Sequence, residues 1–325
     1  MSFAERHWYR LSAVSILLYP ACLVFRLLVA LRLLLYRRSV LRSVRLPVPV
    51  IVVGNLTVGG TGKTPLVLAL ARALQGKGRH PGILCRGYRG THSGPRGVSA
   101  GDDPGQVGDE PLLLAERSGC PVWIGADRAS AGRALLAAHG ERDVIVCDDG
   151  LQHYRLRRDF EIAVEDERGF GNGLMLPAGP LREPASRGVD ATVVNGAAGK
   201  PGAFRMRLEP AGFYRIGENA EGVPIGELQG RRLHAVAGTG NPHRFFTELA
   251  RLGLRFTPHP FPDHHPFRPS DLEFAACDLI LMTEKDAVKC RRFGRRDLIA
   301  VRVDTEPDPA LMDLILRRIH GRPPA

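Results

Sequence analysis

A glycine-rich run, Gly54-Asn55-Leu56-Thr57-Val58-Gly59-Gly60-Thr61-Gly62-Lys63-Thr64-Pro65, separates a short β-branched stretch from the apolar segment Leu66 to Leu74. In such a turn, glycines let backbone N–H groups point inward and cradle phosphate oxygens at a helix N-terminus. A lysine there reaches the β and γ phosphates, and a Ser/Thr hydroxyl is placed to ligate Mg2+. The run therefore predicts an ATP site held by residues Thr57 through Pro65, with Lys63 on the phosphates and Thr64 on the metal. Strict P-loop spacing asks for glycine at position 57, where this chain has Thr57.

Two further groups of side chains could act on a bound triphosphate. Val144 to Cys147 leads into Asp148-Asp149-Gly150-Leu151-Gln152-His153, so two acids emerge where open α/β sheets bind ligands, and one is suited to hold or orient Mg2+. Neighbouring side chains on a strand point oppositely, so both acids reach one ion only if the backbone turns, which Gly150 permits. Asp263-His264-His265, flanked by Phe261-Pro262 and Pro266-Phe267, is a poor metal template and reads better as a general base or its helper. Gly108-Asp109-Glu110-Pro111, taken alone, is an ordinary capped helix start.

The elements that must position these residues follow an α/β pattern. From Val48 onward, β-branched runs end in Gly or Asp and give way to helical segments. Candidate strands are Val50 to Val53, Ile83 to Cys85, Val122 to Ile124, Val144 to Cys147, Ile162 to Val164 and Thr192 to Val194. They predict a doubly wound parallel sheet, a P-loop domain over residues 46–203. Phe204 to Leu208 reads as a bridging strand. A smaller α/β unit over 204–325 has strands at Leu233 to Ala237, Leu279 to Met282 and Ile299 to Val303. The six cysteines lack a C-x-x-C pair and read as reduced, mostly apolar fillers.

Residues 1–45 differ from the rest. Eight arginines against the single acid Glu5 put +7 of the formal +11 on this segment, beside an uncharged stretch from Leu11 to Phe25. Such a basic excess next to apolar sequence points to an anionic membrane surface and away from nucleic acid. A helix over that stretch reaches about 22 Å, short of a hydrocarbon core of about 30 Å. The expectation is a helix lying in or dipping into the interface, with Trp8, Tyr9 and Tyr36 as anchors. A signal peptide is the rival, but no small-x-small cleavage site follows.

Together these segments resemble the tetraacyldisaccharide 4'-kinase family, which phosphorylates the lipid A precursor. The likeness runs in one order through Gly54 to Pro65, Arg86-Gly87-Tyr88, Gly108 to Pro111, Ala126-Asp127-Arg128, Asp148 to His153, Leu176 to Pro184, Phe261 to His265 and Thr283-Glu284-Lys285-Asp286. Thr57 is usual in that family, whereas Leu151 stands where phenylalanine is common. The resemblance implies two α/β/α sandwich domains with the active site in the cleft between them. It implies an acylated disaccharide phosphate lipid as substrate and an amino-terminal helix on the cytoplasmic face of the bacterial inner membrane. It also implies roles: Lys63 in catalysis, Thr64, Asp148, Asp149 and Glu110 at the metal, and Asp109 as the base that takes the acceptor hydroxyl proton with help from His264. Arg86, Tyr88, Arg128, Arg182 and Glu183 become the candidates for sugar and 1-phosphate. No spacing separates His264 from His265, and Thr283 to Asp286 either line the cleft or cap a helix. A membrane-cycling ATPase switch is the alternative, but its loop needs a lysine where Val58 stands.

Overall fold

The computed structural model describes residues 7–88, 90–196, 200–217 and 221–320. Its first sheet has eight strands in the order β3-β4-β2-β5-β1-β6-β7-β8, with β1 Val50–Gly54, β2 Pro81–Cys85, β3 Arg96–Val98, β4 Val122–Ile124, β5 Val144–Asp148, β6 Phe160–Asp166, β7 Ala191–Asn195 and β8 Phe204–Met206. All pairings are parallel except β3 with β4. Val53 lies in register with Asp148 on one side and Ile162 on the other, so the phosphate loop and the acid doublet leave the same sheet edge side by side. Burial on both faces explains why these strands read as continuous apolar runs.

The helix Lys63–Gly76 covers one face. It starts at Gly62, whose φ of 96° suits glycine, and carries Pro65 in its first turn, where the missing N–H costs nothing. Leu66, Leu70 and Leu74 recur at helical spacing and are fully buried, each stabilising the packing by about 1.5–3 kcal/mol. The opposite face carries the helix Arg128–Ala138, with Leu46 and Cys22 from the amino-terminal segment in the same core.

The second sheet runs β10-β9-β14-β13-β11-β12, with β9 Glu209–Arg215, β10 Gly222–Val223, β11 Leu233–Ala237, β12 Phe256–Pro260, β13 Leu279–Thr283 and β14 Leu298–Asp304. Strands β9 and β10 are antiparallel additions, and the other four run parallel. Two details move the expected boundary at residue 203. Phe204–Met206 extends the first sheet by pairing with β7, and the chain enters the second sheet only at Glu209. The carboxyl-terminal helix Pro309–His320 returns to the first domain, where Leu311, Met312, Ile315 and Ile319 join the core beneath Lys63–Gly76. The second unit is thus clasped to the first by its own last helix.

At the amino-terminal end the uncharged stretch is not one helix. A short turn, Ala13–Leu17, precedes the helix Tyr19–Arg37, because Pro20 fits a first turn and not an interior. Tyr19–Arg37 is long and apolar enough to cross a membrane by length and composition, and it exposes Leu23, Val24, Leu27, Leu28, Leu31 and Leu34. The three expected anchors pack against the protein body: Trp8 Nε1 donates to the Pro177 carbonyl at 3.0 Å, Tyr9 faces Arg168, and Tyr36 lies 5.7 Å from the Tyr154 ring.

Candidate active site

The cleft between the two sheets holds a cavity of about 620 Å3, floored by the phosphate loop through Val58, Gly59, Gly60 and Lys63. Buried Asn55 braces the loop: its Nδ2 donates to the Gly59 carbonyl at 3.0 Å, and its Oδ1 accepts from Lys63 Nζ at 3.3 Å. Thr57 and Thr61 are buried in the loop's frame, and Val58 N–H donates to the Pro180 carbonyl. Behind the loop, Asn195 Nδ2 donates to the Thr61 carbonyl while Arg244 of the second unit holds Asn195 Oδ1 at 2.7 Å.

Asp148 and Asp149 divide the labour. Thr64 Oγ1 donates to Asp148 Oδ2 at 3.4 Å, and Asp148 Oδ1 is buried with no hydrogen-bond partner among the described residues. Burial, the nearby Glu110 carboxylate and Asp149 push Asp148 up to about 7, against the pull of Lys63. Asp149 instead lies between cations, 3.5 Å from Lys63 and 3.2 Å from Arg182. Burial would raise it, yet Lys63, Arg182 and Arg128 outweigh that and hold it down at about 2. The backbone turn that separates the two acids falls at Asp149 itself, with φ of 47°. Gly150 serves close packing, since a Cβ there would lie 2.7 Å from Cys147 Sγ.

Opposite the loop stands a second constellation. His264 Nδ1 lies 2.9 Å from both carboxylate oxygens of Asp109, joining a residue of the second unit to the first turn of the helix Asp109–Ser118. Asp109 is 6% exposed and sits just behind the cavity wall formed by Glu110 and His264. Burial opposes its charge, but the His264 hydrogen bond and the Lys285 and Lys289 ammonium groups lower its pKa to about 2. His265 is turned away: its Nε2 contacts Asp271 Oδ2 at 3.0 Å and its ring packs between Phe261 and Phe267. Geometry therefore separates two histidines that spacing could not.

The remaining expected residues fall into two sets. Arg86, Tyr88, Arg128 and Arg182 all line the cavity. Arg86 and Tyr88 are exposed there, whereas Arg128 is buried and spends its guanidinium on the Gly125 and Asp149 carbonyls. Glu183 is not part of the lining; it is buried in an ion pair with Arg187. The Thr283 to Asp286 segment does both things expected of it. Thr283 caps the helix Glu284–Cys290, and Lys285 reaches into the cavity. Gln152, Asp263, Lys285, Gly240 and Arg32 also line the cavity; sequence reasoning gave none of them an individual role there, although Gln152, Asp263 and Lys285 stand in motif segments already singled out.

The donor set fits a magnesium ion. It consists of hard oxygens: an unpartnered buried carboxylate oxygen on Asp148 and the Thr64 hydroxyl beside it. Among the described residues no three or more His, Cys, Asp or Glu side chains gather into a cage for a metal. Mg2+ suits such a sparse site, because it keeps several waters and draws its other ligands from substrate phosphates.

Comparison with known proteins agrees with this chemistry. A family model described as tetraacyldisaccharide-1-P 4'-kinase matches residues 14–320. Among curated relatives, tetraacyldisaccharide 4'-kinase of Azoarcus sp. strain BH72 is 50% identical, covering 100% of this chain and 98% of its own. The enzyme of that name from Methylobacillus flagellatus is 48% identical over 97% of this chain and 95% of its own. A crystal structure of LpxK from Aquifex aeolicus in complex with ATP superposes with a TM-score of 0.79 at 30% identity, covering 94% of this chain and 99% of that one. A phosphate loop and an Asp–His pair facing each other across one cleft, with likeness along the whole chain, place this protein in the tetraacyldisaccharide 4'-kinase family.

Proposed function

We propose that the cleft transfers the γ-phosphoryl group of ATP to the 4'-hydroxyl of a tetraacyldisaccharide 1-phosphate, giving the lipid A precursor lipid IVA. The observation that carries this reading is the meeting of Lys63, Thr64 and Asp148 from one side with Asp109 and His264 from the other, around a single cavity.

In this reading Lys63 and the loop amides hold the β and γ phosphates, and Asn55 and Asp149 keep the lysine aimed. Thr64 and Asp148 would hold Mg2+, which would supply neutralising positive charge to the triphosphate. The acceptor hydroxyl enters between the Glu110 and His264 side chains and meets Asp109. As the new O–P bond forms and the bond to the β-phosphate oxygen breaks, the hydroxyl proton passes to Asp109 and ADP leaves. A carboxylate near 2 is a weak base, so its main contribution is to orient the hydroxyl and accept the proton late. Arg86 and Tyr88, exposed on the cavity wall, are suited to the sugar and its 1-phosphate. Arg128 and Arg182 act from below by fixing the Asp149 turn.

The exposed apolar side chains of Tyr19–Arg37, followed by Arg37, Arg38, Arg42 and Arg45, support seating on an anionic membrane surface, the cytoplasmic face of the inner membrane. Arg32 on that helix lines the cavity, so a lipid drawn from the surface meets the site directly.

The test is direct. Purified protein with magnesium, ATP and the acylated disaccharide 1-phosphate should yield the 4'-phosphorylated lipid and ADP in equal amounts. ADP production that ignores the lipid acceptor would reject the reading in favour of an ATPase switch.

A further inference from the structure

Lys285 occupies a place that the mechanism above does not use. It lies at the start of the helix Glu284–Cys290, held there by the Thr283 cap, and its side chain crosses the cleft. Its Nζ contacts three groups: Glu110 Oε1 at 3.0 Å, Asp263 Oδ1 at 3.2 Å and His264 Nε2 at 3.1 Å. Burial disfavours its charge, but Glu110, Asp109 and Asp263 overcome that and drive its pKa well above the ordinary lysine value. It is an ammonium, with donors and no acceptor.

That fact decides the state of the imidazole. A ring nitrogen facing an ammonium must be an acceptor, so Nε2 carries no proton, and the single N–H of the ring is on Nδ1, which faces Asp109. We infer that Lys285 is a positioning residue: by donating to His264 Nε2 it fixes the tautomer that points the ring's one N–H at Asp109. Among the described residues, the charged and polar neighbours of the ring include Asp109 from the first unit, Asp263 from its own loop, Lys285 from the following helix and Tyr88, whose ring meets it edge-on at 5.3 Å. Only Lys285 among them is bonded to Nε2 as an obligate donor.

The consequence concerns which member of the pair takes the substrate proton. With Nε2 engaged, His264 has no free lone pair, and Asp109, oriented by the Nδ1–H, is the acceptor. Lys285 belongs to the second unit and Asp109 to the first, so the arrangement exists only while the cleft is assembled. The inference rests on the Asp109 assignment made above for its mechanistic meaning, but not for the tautomer itself.

The experiment separates the two. In full-length protein labelled with 15N-histidine, the His264 ring, assigned by its loss in His264→Gln, should show a pyrrole-type Nδ1 and a pyridine-type Nε2 at neutral pH. Lys285→Met should lose that signature and reduce kcat about 10- to 100-fold, the usual range for removing a partner that orients a reactive group. Lys285→Arg keeps an obligate donor and should restore the signature and most of kcat. A wild-type spectrum with the proton on Nε2 overturns the inference whatever the variants do. So does a folded Lys285→Met protein with an unchanged spectrum. Full activity in Asp109→Asn would instead remove the base assignment and leave the tautomer result standing.

Discussion

Gly240, in the turn after β11, meets Gly60 of the phosphate loop backbone to backbone: a Cβ on Gly240 would lie 2.7 Å from the Gly60 nitrogen. The two domains touch here without side chains, at the loop whose amides must face the phosphates. Gly240→Ala forces one backbone away from the other, and overpacking of this kind costs about 1–3 kcal/mol. The expected outcome is a loss of at least about tenfold in kcat/KM for ATP, because the strain falls on the loop. Each domain's core is untouched, so circular dichroism should report an intact fold. Wild-type kinetics in this variant would show the contact to be incidental.

If Asp148 holds the metal as proposed, its function opposes stability. Its Oδ1 is buried with no partner among the described residues, and Glu110 and Asp149 crowd it with like charge. Asp148→Asn keeps the shape, still accepts from Thr64 and removes the buried charge. The variant should melt a few degrees higher than wild type without nucleotide, while kcat falls at least about a hundredfold and the magnesium requirement rises. A lower melting temperature would mean that the carboxylate is compensated in a way the geometry does not reveal.

How much of this was legible in the sequence depends on how local the signal is. The phosphate loop could be read because strand, glycines, lysine and helix are contiguous, and the Asp148 doublet because a buried parallel strand announces itself. Asp109 could not be read from its own neighbourhood. It sits at a helix start, where an acid is ordinary, and its partner His264 is far along the chain and in the other unit, so its assignment came from family resemblance. Lys285 was legible only as part of a segment expected either to line the cleft or to cap a helix, because its partners Asp263 and His264 are distant in sequence and Glu110 lies in the other unit. Strands β9 and β12 escaped because Pro210, Gly212, Pro258 and Pro260 mask them, and prolines are tolerated at the β12 edge. The return of Pro309–His320 to the first domain is a tertiary choice that an amphipathic pattern does not specify.

His153 should give the folded protein a measurable acid sensitivity. Burial and the Arg128 charge, against some help from Asp127, lower its pKa from 6.5 to about 4, and its Nε2 accepts the Arg128 N–H. At pH above 6.5 the ring is neutral in folded and unfolded chains alike. As pH falls from 6.5 towards 4 the unfolded chain takes up the proton first, so this group's contribution to stability is lost across that window. His153→Gln retains an acceptor and does not titrate. The melting temperature of wild type should therefore fall relative to that of the variant between pH 7 and pH 4.5. A constant gap between the two curves would contradict the assignment.

The helix Tyr19–Arg37 makes the last prediction. Leu27 and Leu31 project from it with 68% and 48% of their surface exposed, on a helix with Cys22 alone buried. An apolar face left open in this way is stabilised by a bilayer, and replacing two such leucines with acids removes apolar contact and adds repulsion from anionic headgroups. Leu27→Glu/Leu31→Glu should stop the protein floating with vesicles that contain anionic phospholipid. Because neither residue lines the cavity, kcat on acceptor lipid dispersed in detergent micelles should stay within about threefold of wild type, while turnover of the same lipid presented in vesicles should drop at least about tenfold. Equal losses on micelles and vesicles would mean that the helix shapes the active site itself, through Arg32 at its mouth, and that surface seating is secondary.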